Sequence, residues 1–208
     1  MEINLADAIP LLQEADILLF KAKPSIFSLS WWIARYTLSE YSHVSMVNFN
    51  ENEVYCIEFR EFIGSRNHPL KEELDNGYVI DIFRVSRLIS YPQFNKTTGL
   101  VEQTTKEFTP EIASNITRTA KEHVHRKEGY SWNIIWKIAG IFIPLYRLFV
   151  NRNPIIEEDT KNFVCSTFVA YSYRKNFIDL VPGISDEYTQ PGDIGRSSHL
   201  NYLFTIKK

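Results

Sequence analysis

The stretch YSHVSMVNFNENEVYCIEF, residues 41–59, decides the fold. Residues 42–49 alternate as a strand does, placing His43, Ser45, Val47 and Phe49 on one face. NENE at 50–53 is too polar for a core and reads as a turn. VYCIEF at 54–59 alternates again, with Val54, Cys56 and Glu58 sharing a face. Two runs of period two joined by a short polar turn predict a β-hairpin.

Outward from that hairpin, ADILLF (15–20), YVIDIFRV (78–85) and LNYLFTI (200–206) are short apolar runs that predict three further strands. Residues 21–30 read as a loop, and SLSWWIARYTL (28–38) has helical spacing with Ser28 or Ser30 as its cap. Thr109-Pro110-Glu111 predicts a helix start: a capping hydroxyl, proline at the first helical position and an acid in the first turn. Ile112, Ile116, Ala120 and Val124 form its apolar stripe. FVCSTFVAYSYRK (163–175) predicts a mostly apolar helix capped by Asn162. Pro182-Gly183 and Pro191-Gly192 read as turns, and the polar tract 86–108 as an insertion on a single domain spanning 1–208. The pattern is α+β with an antiparallel sheet; there is no βαβ alternation and no glycine-rich phosphate loop, which disfavours nucleotide-binding folds.

The 208 residues carry 23 basic and 25 acidic side chains, a net charge of −2, with no dense basic run. That balance argues against a nucleic-acid partner. Two cysteines are too few for a disulfide-stapled secreted domain, and two thiols are the simpler reading. The N-terminal MEINLADAIPLLQEAD lacks a basic n-region, so a cytoplasmic protein is the default expectation. The segment WNIIWKIAGIFIPLYRLFV (132–150) contains Lys137 and Pro144, which weigh against a membrane span. It predicts a buried or lid-forming helical hairpin, or else a surface that contacts lipid or acyl chains.

Cys165 falls in the first turn of its predicted helix, where the dipole and free N–H groups favour the reactive thiolate form of a cysteine. The competing reading is a small buried hydrophobe. His43 is the candidate base: His68 sits beside Pro69 in what reads as a loop, His123 and His125 lie late in a charged helix, and His199 is in the tail. Glu58 is a carboxylate inside an apolar strand run, where it needs a partner, and a neighbouring imidazole would be one. An edge-strand charge facing water is the other reading, and Glu61 competes for the role. No HxxxH, HExxH or CxxC spacing points to a metal, no GxSxG elbow to a serine hydrolase, and no cofactor is expected.

ADILLF, YSHVSMV (41–47), VYCIEF and FVCSTFVAYSY (163–173), in that order, together resemble the circularly permuted NlpC-type branch of the papain-like cysteine hydrolases, the YiiX-like family. A late Gln190-Pro191-Gly192-Asp193-Ile194 turn fits as well. The resemblance implies a helix carrying the cysteine packed on an antiparallel sheet or small barrel. It implies Cys165 as nucleophile, His43 as base, Glu58 as third polar residue and Tyr130, of Gly129-Tyr130, beside the oxyanion. It departs where the family's usual glycine before the first-strand Asp is Ala15, and in the long apolar segment between Tyr130 and Cys165. The expected activity is thiol hydrolysis, amidase- or peptidase-like, of a peptide, amide or acyl lipid. The alternatives are acyl transfer and a non-catalytic lipid- or partner-binding module, with peripheral membrane contact through 132–150.

Overall fold

A computed structural model describes residues 1–23, 34–35, 38–51, 53–60, 63–95, 99–126 and 163–208. In chain order the elements are β1 (Glu2–Ile3), α1 (Leu5–Ala8), β2 (Ile17–Lys21), β3 (Tyr41–Asn50), β4 (Glu53–Arg60), β5 (Gly64–Pro69), α2 (Leu70–Asp75), β6 (Ile80–Val85), β7 (Leu88–Asn95), β8 (Leu100–Glu107), α3 (Pro110–His125), α4 (Cys165–Arg174), α5 (Pro191–Gly195) and β9 (Leu200–Ile206). Seven strands form one sheet in the order β1-β9-β6-β2-β3-β4-β5. Only the β1–β9 pair is parallel. Among the described residues β1 and β5 are its edges, so of the two expected forms it is the sheet rather than the small barrel.

The hairpin expected at 41–59 is β3–β4, paired from Met46↔Ile57 to Asn50↔Glu53. The strands expected near 15–20, 78–85 and 200–206 are β2, β6 and β9. The polar tract 86–108 is indeed an excursion from the main sheet, but a structured one: β7 and β8 pair as a separate two-stranded ribbon. Pro191-Gly192 opens the short helix α5 where a turn was expected, because proline's fixed φ suits a first helical position. The segment 132–150, Tyr130, Asn162 and most of 28–38 lie outside the described residues.

Alternation along the strands gives the sheet two apolar faces. On one, Val44, Met46, Ile57 and Phe59 meet Ile116 and Ala120 of α3 and Phe168 and Val169 of α4. On the other, Leu18, Phe20, Val47, Val54 and Cys56 meet Ala8, Leu12 and the α2 residues Leu70 and Leu74. Each such side chain, when fully buried, contributes about 1.5–3 kcal/mol. α3 starts as its sequence demands, with the Thr109 hydroxyl accepting from Ile112 N at 3.3 Å and Pro110 at the first helical position. At the other layer contact, the Tyr173 hydroxyl of α4 donates to the Ala15 carbonyl. Ala15 has φ 62°, the left-handed region that favours glycine, which explains why a glycine suits this position.

Candidate functional site

Cys165 is the first residue of α4. Its cap differs from the expected Asn162: Val164 takes the cap position, and its N–H donates to the Thr167 hydroxyl at 2.9 Å. That bond uses up one backbone donor at the helix start and fixes the entry of the chain into the first turn. Phe163 and Phe168, packed edge to face at 5.9 Å, hold the same turn in the core. Cys165 and Cys56 are both free thiols.

His43 lies on β3 opposite Phe20 of β2, and the two rings meet edge to face at 5.1 Å. The β3–β4 ladder begins only at Met46↔Ile57. His43 and Glu58 lie just beyond the end of that ladder, on the same face by alternation. The His43 Nε2 lies 2.5 Å from Glu58 Oε2. A carboxylate can only accept, so Nε2 carries the proton and Nδ1 is the ring nitrogen left for the thiol. Cys165 lies near enough to His43 to influence the charge of its ring. The three residues that the sequence placed far apart thus converge, with exposures of 8% (His43), 0% (Glu58) and 7% (Cys165).

The electrostatics follow from that contact. Burial by itself lowers the imidazole pKa, but the Glu58 charge and then Cys165 outweigh it, and the net direction is up. For Glu58 burial works to raise the pKa; the His43, Arg66 and Arg60 charges prevail and hold the carboxyl well below its usual range. Glu58 is therefore an anion and His43 an imidazolium near neutral pH.

Five residues behind Glu58 escaped the sequence reading. Arg66 Nε donates to Glu58 Oε1 at 2.6 Å, and its Nη2 lies 2.6 Å from Glu73 Oε1. Arg60 Nη1 donates to Glu73 Oε1 at 2.7 Å and its Nη2 to the Tyr78 hydroxyl at 2.7 Å. His68 Nε2 lies 2.9 Å from Glu73 Oε1. His68 is not a loop histidine: it is buried on β5, paired with Cys56. One signal was available. A carboxylate buried inside VYCIEF requires more positive charge than one imidazole supplies, and two arginines lie within eight residues of it.

Glu58, His68 and Glu73 bring three ligand atoms within 4.8 Å of one another, the arrangement that a metal ion needs. The residues do not fit one. The Arg66 and Arg60 guanidinium groups already sit on Glu58 Oε1 and Glu73 Oε1 at 2.6–2.7 Å, and two fixed cations repel a third. No described helix is long and apolar enough to cross a membrane.

No protein-family model matches this chain, and no curated protein matches its sequence. In three dimensions the chain is similar to the crystal structure of the metalloprotein YiiX from Escherichia coli O157:H7. The TM-score is 0.55 at 17% identity, over 92% of this chain and 96% of that one. The fold is therefore YiiX-like: mixed α+β on a mostly antiparallel sheet.

Proposed function

We propose that this chain is a thiol hydrolase of the circularly permuted, NlpC-type papain-like class, acting through an acyl-enzyme on a peptide, amide or acyl lipid. One observation carries the reading: a buried His43–Glu58 pair lies close enough to Cys165, at the first position of a helix, for the two to influence each other's charge. The chain order histidine, acid, cysteine, and the antiparallel strands that carry the first two, agree with it.

The chemistry needs one nucleophile and one proton carrier. His43 holds the proton that the Cys165 sulfur gives up, and a sulfur lone pair attacks the substrate carbonyl carbon. The carbonyl π electrons move to oxygen, and backbone N–H groups at the start of α4 face that developing charge. As the tetrahedral adduct collapses, the C–N or C–O bond breaks and the imidazolium gives its proton to the leaving group. Water then loses a proton to His43, attacks the thioester, and frees the acid and Cys165. Glu58 holds the imidazole in one tautomer throughout and balances its charge. An amine or alcohol in place of water gives acyl transfer by the same steps. Tyr130, which the resemblance assigns to the oxyanion, has no place in these steps because it lies outside the described residues. Nor is a metal carried over from the YiiX structure, since the guanidinium groups occupy the carboxylate oxygens that would bind it.

Alkylation by iodoacetamide near neutral pH tests this. Cys165 is expected to react at least about tenfold faster than a free thiol, and Cys165→Ala to abolish labelling at that rate. A rate no greater than that of a free thiol sinks the hydrolase reading and leaves a binding module on the same fold.

A further inference from the structure

Glu73 touches neither Cys165 nor His43, yet it ends the chain of charges that begins there. The Arg66 guanidinium bridges the two carboxylates, with Nε on Glu58 Oε1 at 2.6 Å and Nη2 on Glu73 Oε1 at 2.6 Å. Arg60 adds a second guanidinium at 2.7 Å from Glu73 Oε1 and 3.5 Å from Glu58 Oε1. Glu58 and Glu73 are buried, and Arg60 and Arg66 largely so. Two guanidinium charges and two carboxylate charges cancel. The charge of a His43 imidazolium then meets no further net charge from behind Glu58. Were Glu73 neutral, two cations would share one anion, and a surplus positive charge would stand behind the imidazole.

We propose that Glu73 is a positioning residue for the Cys165–His43 pair: it cancels the second guanidinium charge and anchors the Arg66 fork, so that Glu58 keeps one oxygen for the imidazole. The role rests on the thiol-hydrolase reading only for its use in catalysis; the charge coupling itself is a property of the fold. The groups facing His43 and this network are Cys56, Glu58 and Arg60 from β4, Arg66 and His68 from β5, Glu73 from α2, the Tyr78 hydroxyl after α2, and Cys165 from α4. β2 contributes only the apolar Phe20 ring at this point.

The variant Glu73→Gln keeps the shape and an acceptor oxygen while removing the charge. Its His43 ring protons are followed by NMR across pH, assigned by their loss in His43→Gln. The His43 midpoint is expected to fall by about one pH unit, a tenfold drop in the imidazolium-to-imidazole ratio at fixed pH. The pair Glu73→Gln with Arg60→Gln removes one charge of each sign and is expected to bring the midpoint back toward that of the parent. A merely structural role predicts a lower unfolding midpoint with an unmoved titration. Superposable His43 titrations in the parent and Glu73→Gln overturn the proposal. If Glu73→Gln does not fold, Arg60→Gln alone leaves surplus negative charge and must raise the His43 midpoint; no rise there overturns it as well. The two readings fail separately: slow alkylation of parental Cys165 defeats the hydrolase, whereas the His43 titration defeats or upholds the coupling.

Discussion

Two buried carboxylates, one just before β2 and one on β4, meet arginine in different ways. Asp16, just before β2, is gripped by one guanidinium: Arg84 Nε reaches Oδ1 at 2.7 Å and Nη2 reaches Oδ2 at 2.7 Å. The Gln13 N–H adds a bond to Oδ2 at 2.8 Å, so both oxygens are consumed by a guanidinium and a backbone N–H. Glu58 is divided instead. One oxygen goes to Arg66 and the other to an imidazole. Their acidities move in opposite directions. Burial raises the Asp16 pKa beyond what Arg84 can offset, while the His43 and arginine charges overcome burial and lower that of Glu58. A fork closed on itself is a clamp; a carboxylate with one oxygen left for a proton carrier is a site.

That contrast can be broken most directly by Glu58→Gln, which keeps the shape and removes the charge. Hydrolysis of an activated ester, read by release of the chromophore, is expected to fall by about 10²-fold or more while the far-UV circular dichroism stays unchanged. The matching change at the clamp, Asp16→Ala, is expected to leave Cys165 alkylation at the parental rate. It should instead lower the unfolding free energy in urea by about 2 kcal/mol, because Arg84 and the Gln13 N–H lose their partner; Arg84 is partly exposed, which keeps the loss below that of a fully buried pair. An Asp16→Ala protein as stable as its parent, or one with a slowed thiol, would erase the distinction.

The smallest and sharpest difference is in acid. Glu73 is lowered from 4.5 to about 2: burial opposes this, and the His68 and Arg60 bonds prevail. A depressed acid contributes stability that is present above its unfolded pKa and is lost as pH falls through the folded value. Glu73→Gln is therefore expected to flatten the loss of stability between pH 4.5 and about 2. Asp16, whose pKa is raised, acts with the opposite sign, since the folded state holds its proton more tightly and gains on acidification. Asp16→Asn is expected to steepen the part of the acid limb above pH 3.8, where the folded state holds the proton that the unfolded state has lost. Urea unfolding at successive pH values reads both, and equal slopes in the two variants would show that the directions assigned here are wrong. At the other end of the scale His43 acts as a raised base. Its contribution is complete below pH 6.5 and fades as pH climbs toward about 10.

Local pattern alone was enough for the strands at 41–50, 53–60 and 200–206 and for the start of the helix at Pro110, because period-two alternation and a Thr-Pro-Glu cap are properties of adjacent residues. It also marked Cys165, His43 and Glu58 as candidates, since a thiol at a helix start and charged groups inside apolar strands stand out against their neighbours, but each kept a competing reading until the resemblance joined them. The 86–108 tract read as mere insertion because a two-stranded ribbon that puts few residues, such as Ile89, into the core has little apolar alternation to show. His68 and Glu73 were invisible for a different reason. What makes them part of the site is a bond across β5 and α2, closed by two arginines that the register of β4 and β5 sets side by side. Whether a buried carboxylate becomes a clamp or a site depends on which cation the packing brings to each of its oxygens, and no reading of neighbouring letters contains that; only the folded arrangement does.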